Sequence, residues 1–81
     1  MAFAYVYILQ SKSEPDHFYT GITENLRDRL RRHNSGEVPH TAKHIPWRIN
    51  TAIAFTDRNR ASQFERYLKS ASGRAFARKR L

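Results

Sequence analysis

The chain has no cysteine among its 81 residues. That excludes disulfide bridges, thiolate-held zinc, iron–sulfur centres and any thiol nucleophile. Nothing asks for an oxidising compartment, so a cytoplasmic location is expected. Long apolar runs are also missing, and no stretch approaches the roughly 20 residues needed to cross a bilayer. Met1-Ala2-Phe3 leads directly into a strand-like pattern, without a basic leader or an extended apolar h-region, so no secretory signal is expected. Glycine and proline are scarce, three of each, and no repeat or low-complexity tract interrupts the chain. Acidic residues number only 7 against 15 lysines and arginines, a net charge of +8 and an isoelectric point near 10.6.

This imbalance sets the partner class. A strongly basic surface attracts polyanions through its long-range field, and the arginines occur along the whole chain, which describes a basic domain and not a tail. Nucleic acid is the expected partner. Membrane binding is not expected, because neither amphipathic helix pairs its basic face with a large apolar one. At this length the chain makes a single domain, residues 1–81, near the lower limit for one self-sufficient core.

The apolar pattern gives an α+β order, β-β-α-β-α. "AFAYVYILQ" is apolar on both alternating faces and reads as a central strand buried on two sides. "SKSEPDH" is a polar loop, and "FYTGIT" is a short second strand that pairs with the first as an antiparallel hairpin. Its Gly21 marks a bulge or a close approach by another group. Thr23 or Asn25 caps a helix that runs to about Ser35 and stops at Gly36. Residues 36–46 hold Pro39 and Pro46 and are expected to be irregular. "WRINTAIAF" alternates so that Trp47, Ile49, Thr51, Ile53 and Phe55 share one face of a third strand. Thr56 or Asp57 caps a second helix over Arg58 to Ala71, with Ala61, Phe64, Leu68 and Ala71 at core spacing. Gly73 ends it, and "RAFARKRL" adds a short basic final turn.

At about 100° per residue, the first helix separates its basic residues. Leu26, Leu30 and His33 fall on one arc, the packed face, while Arg27, Arg31 and Arg32 point outward. Arg29 lies at the edge of the packed arc, one turn before His33. By geometry it suits two roles equally: a stem that covers the core edge, or a fixed guanidinium fork aimed at a phosphate. His33 reads as a core-edge histidine or as an acid–base group. Glu65 borders the packed face of the second helix, where it can pair with Lys69 at i, i+4 or hold a hard divalent cation. Tyr5, Tyr7 and Tyr19 sit on the paired strands, either as amphipathic packing or as proton acceptors activated by nearby cations. His40 and His44 have the spacing of some zinc pairs, but prolines flank them and the sequence offers no third ligand, so zinc is not expected.

Taken in order, these segments resemble the GIY-YIG nuclease superfamily, in particular its small single-domain members of the YhbQ/YazA group. "YVYIL" is similar to the first motif, with Tyr5 standing where the first glycine would be. "FYTGIT" contains Tyr19-Thr20-Gly21 in the place of the second motif. "NLRDRLRRHNSG" is similar to the family's Asn-Leu-x-x-Arg…His-Asn-x-Gly run, and "ASQFERYLKS" to its acidic helix. An asparagine that some members carry after that helix has no counterpart. The resemblance implies a three-stranded antiparallel sheet flanked by helices.

It also implies a metal-dependent endonuclease that hydrolyses DNA phosphodiester bonds, with a single Mg²⁺ or Mn²⁺ as cofactor and a role in DNA repair or recombination. In that likeness Tyr7, Tyr19, Arg29 and His33 are the catalytic positions, Glu65 the metal ligand, and Gly21 a bare backbone beside the site. Arg27, Arg31, Arg32, Lys43, Lys69, Arg74 and Lys79 are candidates for positioning the nucleic-acid backbone. With no appended reader module, recognition by shape and phosphate is expected, and single-stranded or branched DNA is the expected substrate. The competing reading is a non-catalytic nucleic-acid-binding module.

Overall fold

A computed structural model describes residues 2–81. Its order is β1 (Ala4–Ser11), β2 (Phe18–Thr23), α1 (Leu26–Asn34), a 3₁₀ turn (Ala42–His44), β3 (Trp47–Phe55), α2 (Arg58–Lys69) and α3 (Ala71–Arg80). The fold is α+β, and the three strands form an open antiparallel sheet in the order β2-β1-β3. The two-sided apolar pattern of β1 makes it the middle strand. Tyr7, Leu9 and Trp47 form one buried cluster with Leu26 and Leu30 of α1 against it. Ala4, Val6, Ile8, Ala61 and Leu68 form the other, joined by Phe64 and Ala77 of α2 and α3. Val6, Leu9 and Leu68 are each at most 3 % exposed, and burying such side chains contributes about 1.5–3 kcal/mol apiece.

The expected shared face of β3 does not form. Leu9 lies opposite Ile49 but Ile8 lies opposite Thr51, so Asn50 is an extra residue in the ladder. A bulge of this kind shifts the two-residue alternation by one. Trp47 and Ile49 therefore pack on the α1 side, whereas Phe55 packs on the α2 side.

Asn25, not Thr23, caps α1, its side chain accepting from the Asp28 N–H at 3.0 Å. Beyond the helix, Gly36 takes the left-handed φ of +82° that glycine tolerates. Asp57 caps α2, accepting from the N–H groups of Asn59 and Arg60. The C-terminal expectation needs correction. Extended backbone at Ser70 (φ −80°, ψ 165°) ends α2 after Lys69, and the Ser70 hydroxyl caps a further helix by accepting from the Gly73 N–H at 3.1 Å. Gly73 thus lies inside a ten-residue α3 and does not terminate α2, and Ala71 is exposed and not in the core.

Candidate active site

Tyr7 is the hub of the site. Its β2 partner is Gly21, and the tyrosine ring lies across that glycine: a Cβ there would sit 2.3 Å from the Tyr7 Oη and 2.5 Å from its Cζ. Gly21 marks the close approach of a ring, with no bulge in the β1–β2 register. The hydroxyl then meets His33 Nε2 at 3.1 Å. Both residues are only 1 % exposed.

The partners of His33 assign its tautomer. Its Nδ1 lies 2.8 Å from Thr41 Oγ1, and that hydroxyl donates to the Val38 carbonyl at 3.2 Å. With the Thr41 proton committed, Nδ1–H must donate and Nε2 must accept. The chain therefore runs Tyr7 O–H to His33, His33 N–H to Thr41, and Thr41 O–H to backbone. Trp47 Nε1–H secures the arrangement by donating to the Thr41 carbonyl at 2.8 Å. Burial, and then the nearby Arg29 charge, lowers the His33 pKa and keeps the ring neutral. Burial pushes the Tyr7 hydroxyl up to about 12; Arg29 opposes that shift, while Tyr19 and Glu65 add to it.

Four further groups surround this pair. Arg29 is half-buried at the helix–sheet seam. Unlike Arg31 and Arg32, which bind Asp28 at 2.9 and 3.0 Å, it has no carboxylate in ion-pair range among the described residues. Tyr19 stands 6.5 Å from the Tyr7 ring and 4.9 Å from that of His33, centroid to centroid. Glu65 comes from α2, its side chain only 15 % exposed and bound at 2.8 Å by Lys69. Lys69 Nζ also lies 6.0 Å above the Tyr19 ring. So Tyr7, Tyr19 and His33 form one ring cluster, and the charges of Arg29 and Glu65, from segments far apart in sequence, both act on the Tyr7 hydroxyl.

The outer basic residues divide. Arg27 is exposed and has no carboxylate partner among the described residues, whereas Arg31 also reaches Glu37 at 3.7 Å. Lys69 and Arg74 line a groove of about 720 Å³ with Arg78, Phe18 and Tyr19. Lys43 and Lys79 are exposed but do not line it. Sequence reasoning missed Thr41, which lies in an irregular segment without periodicity. It also missed Arg78, whose i, i+4 relation to Arg74 becomes visible only when residues 71–80 are read as a helix.

Donor chemistry sets the fit of a divalent cation. Glu65 supplies one hard oxygen, a carboxylate held in part by Lys69, so a Mg²⁺-like ion has to complete its shell with water and phosphate oxygens. That fits a metal carried with a phosphate substrate. No described helix is long and apolar enough to cross a membrane.

Comparison with known proteins identifies the family. The GIY-YIG catalytic domain matches residues 3–80. A UPF0213 protein of Bacillus licheniformis is 32 % identical over 69 residues, which span 84 % of this chain and 69 % of that protein. The chain belongs to the GIY-YIG family of nuclease-type catalytic domains.

Proposed function

We propose that the protein is a divalent-metal-dependent endonuclease acting on DNA. The buried Tyr7–His33 pair, with the charges of Arg29 and Glu65 acting on its hydroxyl, carries this reading. Arg29, with no carboxylate partner among the described residues, binds the scissile phosphate and neutralises the charge that grows on its oxygens. Glu65 holds Mg²⁺ or Mn²⁺, which supplies Lewis-acid stabilisation of a phosphoryl oxygen when bound. The attacking water passes its proton to Tyr7 Oη as the Tyr7 proton moves along its hydrogen bond to the lone pair of His33 Nε2. Thr41 holds the imidazole in the tautomer that makes this possible. Tyr19, half-buried, forms the wall between this pair and the groove.

Glu65→Ala tests the assignment. Nicking of a DNA substrate in Mg²⁺ is expected to fall by at least about 100-fold, with the circular dichroism spectrum unchanged. Equal cleavage by both proteins removes the metal role. Absence of cleavage by wild type in Mg²⁺ and Mn²⁺, with binding that weakens steeply as salt rises, leaves the non-catalytic module.

The groove supports single-stranded or splayed DNA as the substrate, with repair or recombination intermediates as its natural source. Phe18 is 55 % exposed and shares the groove with Lys69, Arg74 and Arg78. That pairs a stacking surface with cations for the backbone. Trp47, 3 % exposed, is buried away from any base. Phe18→Ala should weaken single-strand binding by about 5- to 150-fold, at one stacked base's worth, and leave duplex binding nearly unchanged. Fluorescence anisotropy with both DNA forms measures the difference, and equal losses on the two refute stacking at Phe18.

A further inference from the structure

A second cluster of ligand-type side chains stands just beyond the Ser11 end of β1, away from the Tyr7 hub at mid-strand. Glu14 and His17, from the loop between β1 and β2, meet His44 of the 3₁₀ turn, and one donor atom of each lies within 4.8 Å of the others. His44 Nδ1 is hydrogen-bonded to Glu14 Oε2, and the His17 and His44 rings stack with centroids 4.0 Å apart. Both supporting segments are tied down. Ser11 Oγ donates to the His44 carbonyl at 2.8 Å and accepts from the Glu14 N–H at 3.0 Å. The Glu14 carbonyl accepts from the His17 N–H at 2.8 Å, and the Pro46 carbonyl accepts from the Lys12 N–H at 2.8 Å. Tyr7 and Ser11 are separated along β1 by about 13 Å at ~3.3 Å per residue, so this cluster is distinct from the Glu65 site.

We infer that Glu14, His17 and His44 form a binding site for a zinc-class divalent ion. Two imidazoles and one carboxylate suit a borderline ion such as Zn²⁺ and do not suit Mg²⁺, which prefers oxygen ligands. Neighbouring ligands of tetrahedral zinc lie about 3.4 Å apart, within reach of the present spacing. Because an imidazole binds metal in its own plane, His17 must turn out of the stack, and its exposed position allows that. Three protein ligands leave a fourth position for water. His40, the sequence neighbour of His44 at i, i+4, is not part of the cluster. The missing ligands come from a loop some 30 residues away, a separation that sequence spacing cannot reveal. Bound metal would clip that loop to the segment leading into Trp47, which in turn holds Thr41 behind His33.

Zn²⁺ titration of the untagged full chain, by calorimetry and thermal melting in the absence of nucleic acid, tests the site. Wild type is expected to take up one Zn²⁺ per chain, and its unfolding midpoint to rise by roughly 10–20 °C at a 100-fold excess over Kd. His17→Ala and Glu14→Gln, both on exposed residues, should weaken uptake by at least about 10-fold. His40→Ala and Glu65→Gln should leave it unchanged, as should excess Mg²⁺. No uptake by wild type overturns the inference, as does equal uptake by His17→Ala or a loss confined to Glu65→Gln. The readout is metal uptake, so the result is independent of the nuclease assignment.

Discussion

Arg29→Ala is expected to reduce the single-turnover cleavage rate by about 10³-fold while the fold and unfolding midpoint remain close to wild type. The magnitude is that of removing a preorganised cation from a developing phosphoryl charge. Three of the arginines on the same helix cannot substitute. Arg27, Arg31 and Arg32 point away from the seam, and Asp28 already engages the last two. Arg29→Lys keeps the charge but loses the paired fork, so it should recover only part of the rate.

A second readout separates a direct role from simple loss of packing. The Arg29 charge lowers the pKa of both Tyr7 and His33. Without it, the His33 pKa rises towards its ordinary value and Tyr7 moves still higher. Activity through neutral His33 requires the ring to be deprotonated, so the acid limb of the residual pH–rate profile should move to higher pH. A wild-type rate in Arg29→Ala sinks the assigned role, and an unmoved acid limb breaks the proposed link from Arg29 to the proton acceptor.

Gly73→Ala should produce the largest loss of stability. In an open helix this exchange is stabilising by about 0.4–1 kcal/mol. Here the added Cβ would fall 1.8 Å from the Tyr67 carbonyl oxygen, 2.5 Å from its carbon and 2.6 Å from Leu68 Cα. These are backbone atoms that cannot rotate aside, so α3 has to be levered off the end of α2. That movement unpacks Ala77 from its core cluster and separates Arg74 and Arg78 from the groove. Overpacking costs about 1–3 kcal/mol, occasionally more. For a rigid backbone clash about 3 kcal/mol is expected, a drop of roughly 12–24 °C in midpoint for a chain of this size. Thermal melting followed by circular dichroism measures it, and an unchanged or raised midpoint refutes the close packing at Gly73.

Periodicity served well where a single element decides the outcome. The arc of Leu26, Leu30 and His33 on one side of α1, with Arg29 at its edge, follows from helical rotation. The same holds for the capping side chains of Asn25 and Asp57 and for the central position of β1. It failed where another part of the chain intervenes. The extra residue at Asn50 turns Trp47 and Phe55 to opposite faces of the sheet, although their spacing places them on one. Gly73 carries the composition of a helix stop and acts as a contact point between two helices, which only the path of α2 explains.

The amino-acid sequence by itself determined the basic charge, the exclusion of thiol chemistry, the strand and helix order through α2, and the motif residues of the family. Those properties depend on composition and on neighbours within a few positions. Tertiary structure alone decided that Tyr7 rests on Gly21, that Thr41 sets the tautomer of His33, and that Glu14 and His17 meet His44. Each is a contact between segments distant in sequence, made when the sheet closes and its loops are brought side by side. Spacing along one chain carries no record of which distant atoms will meet.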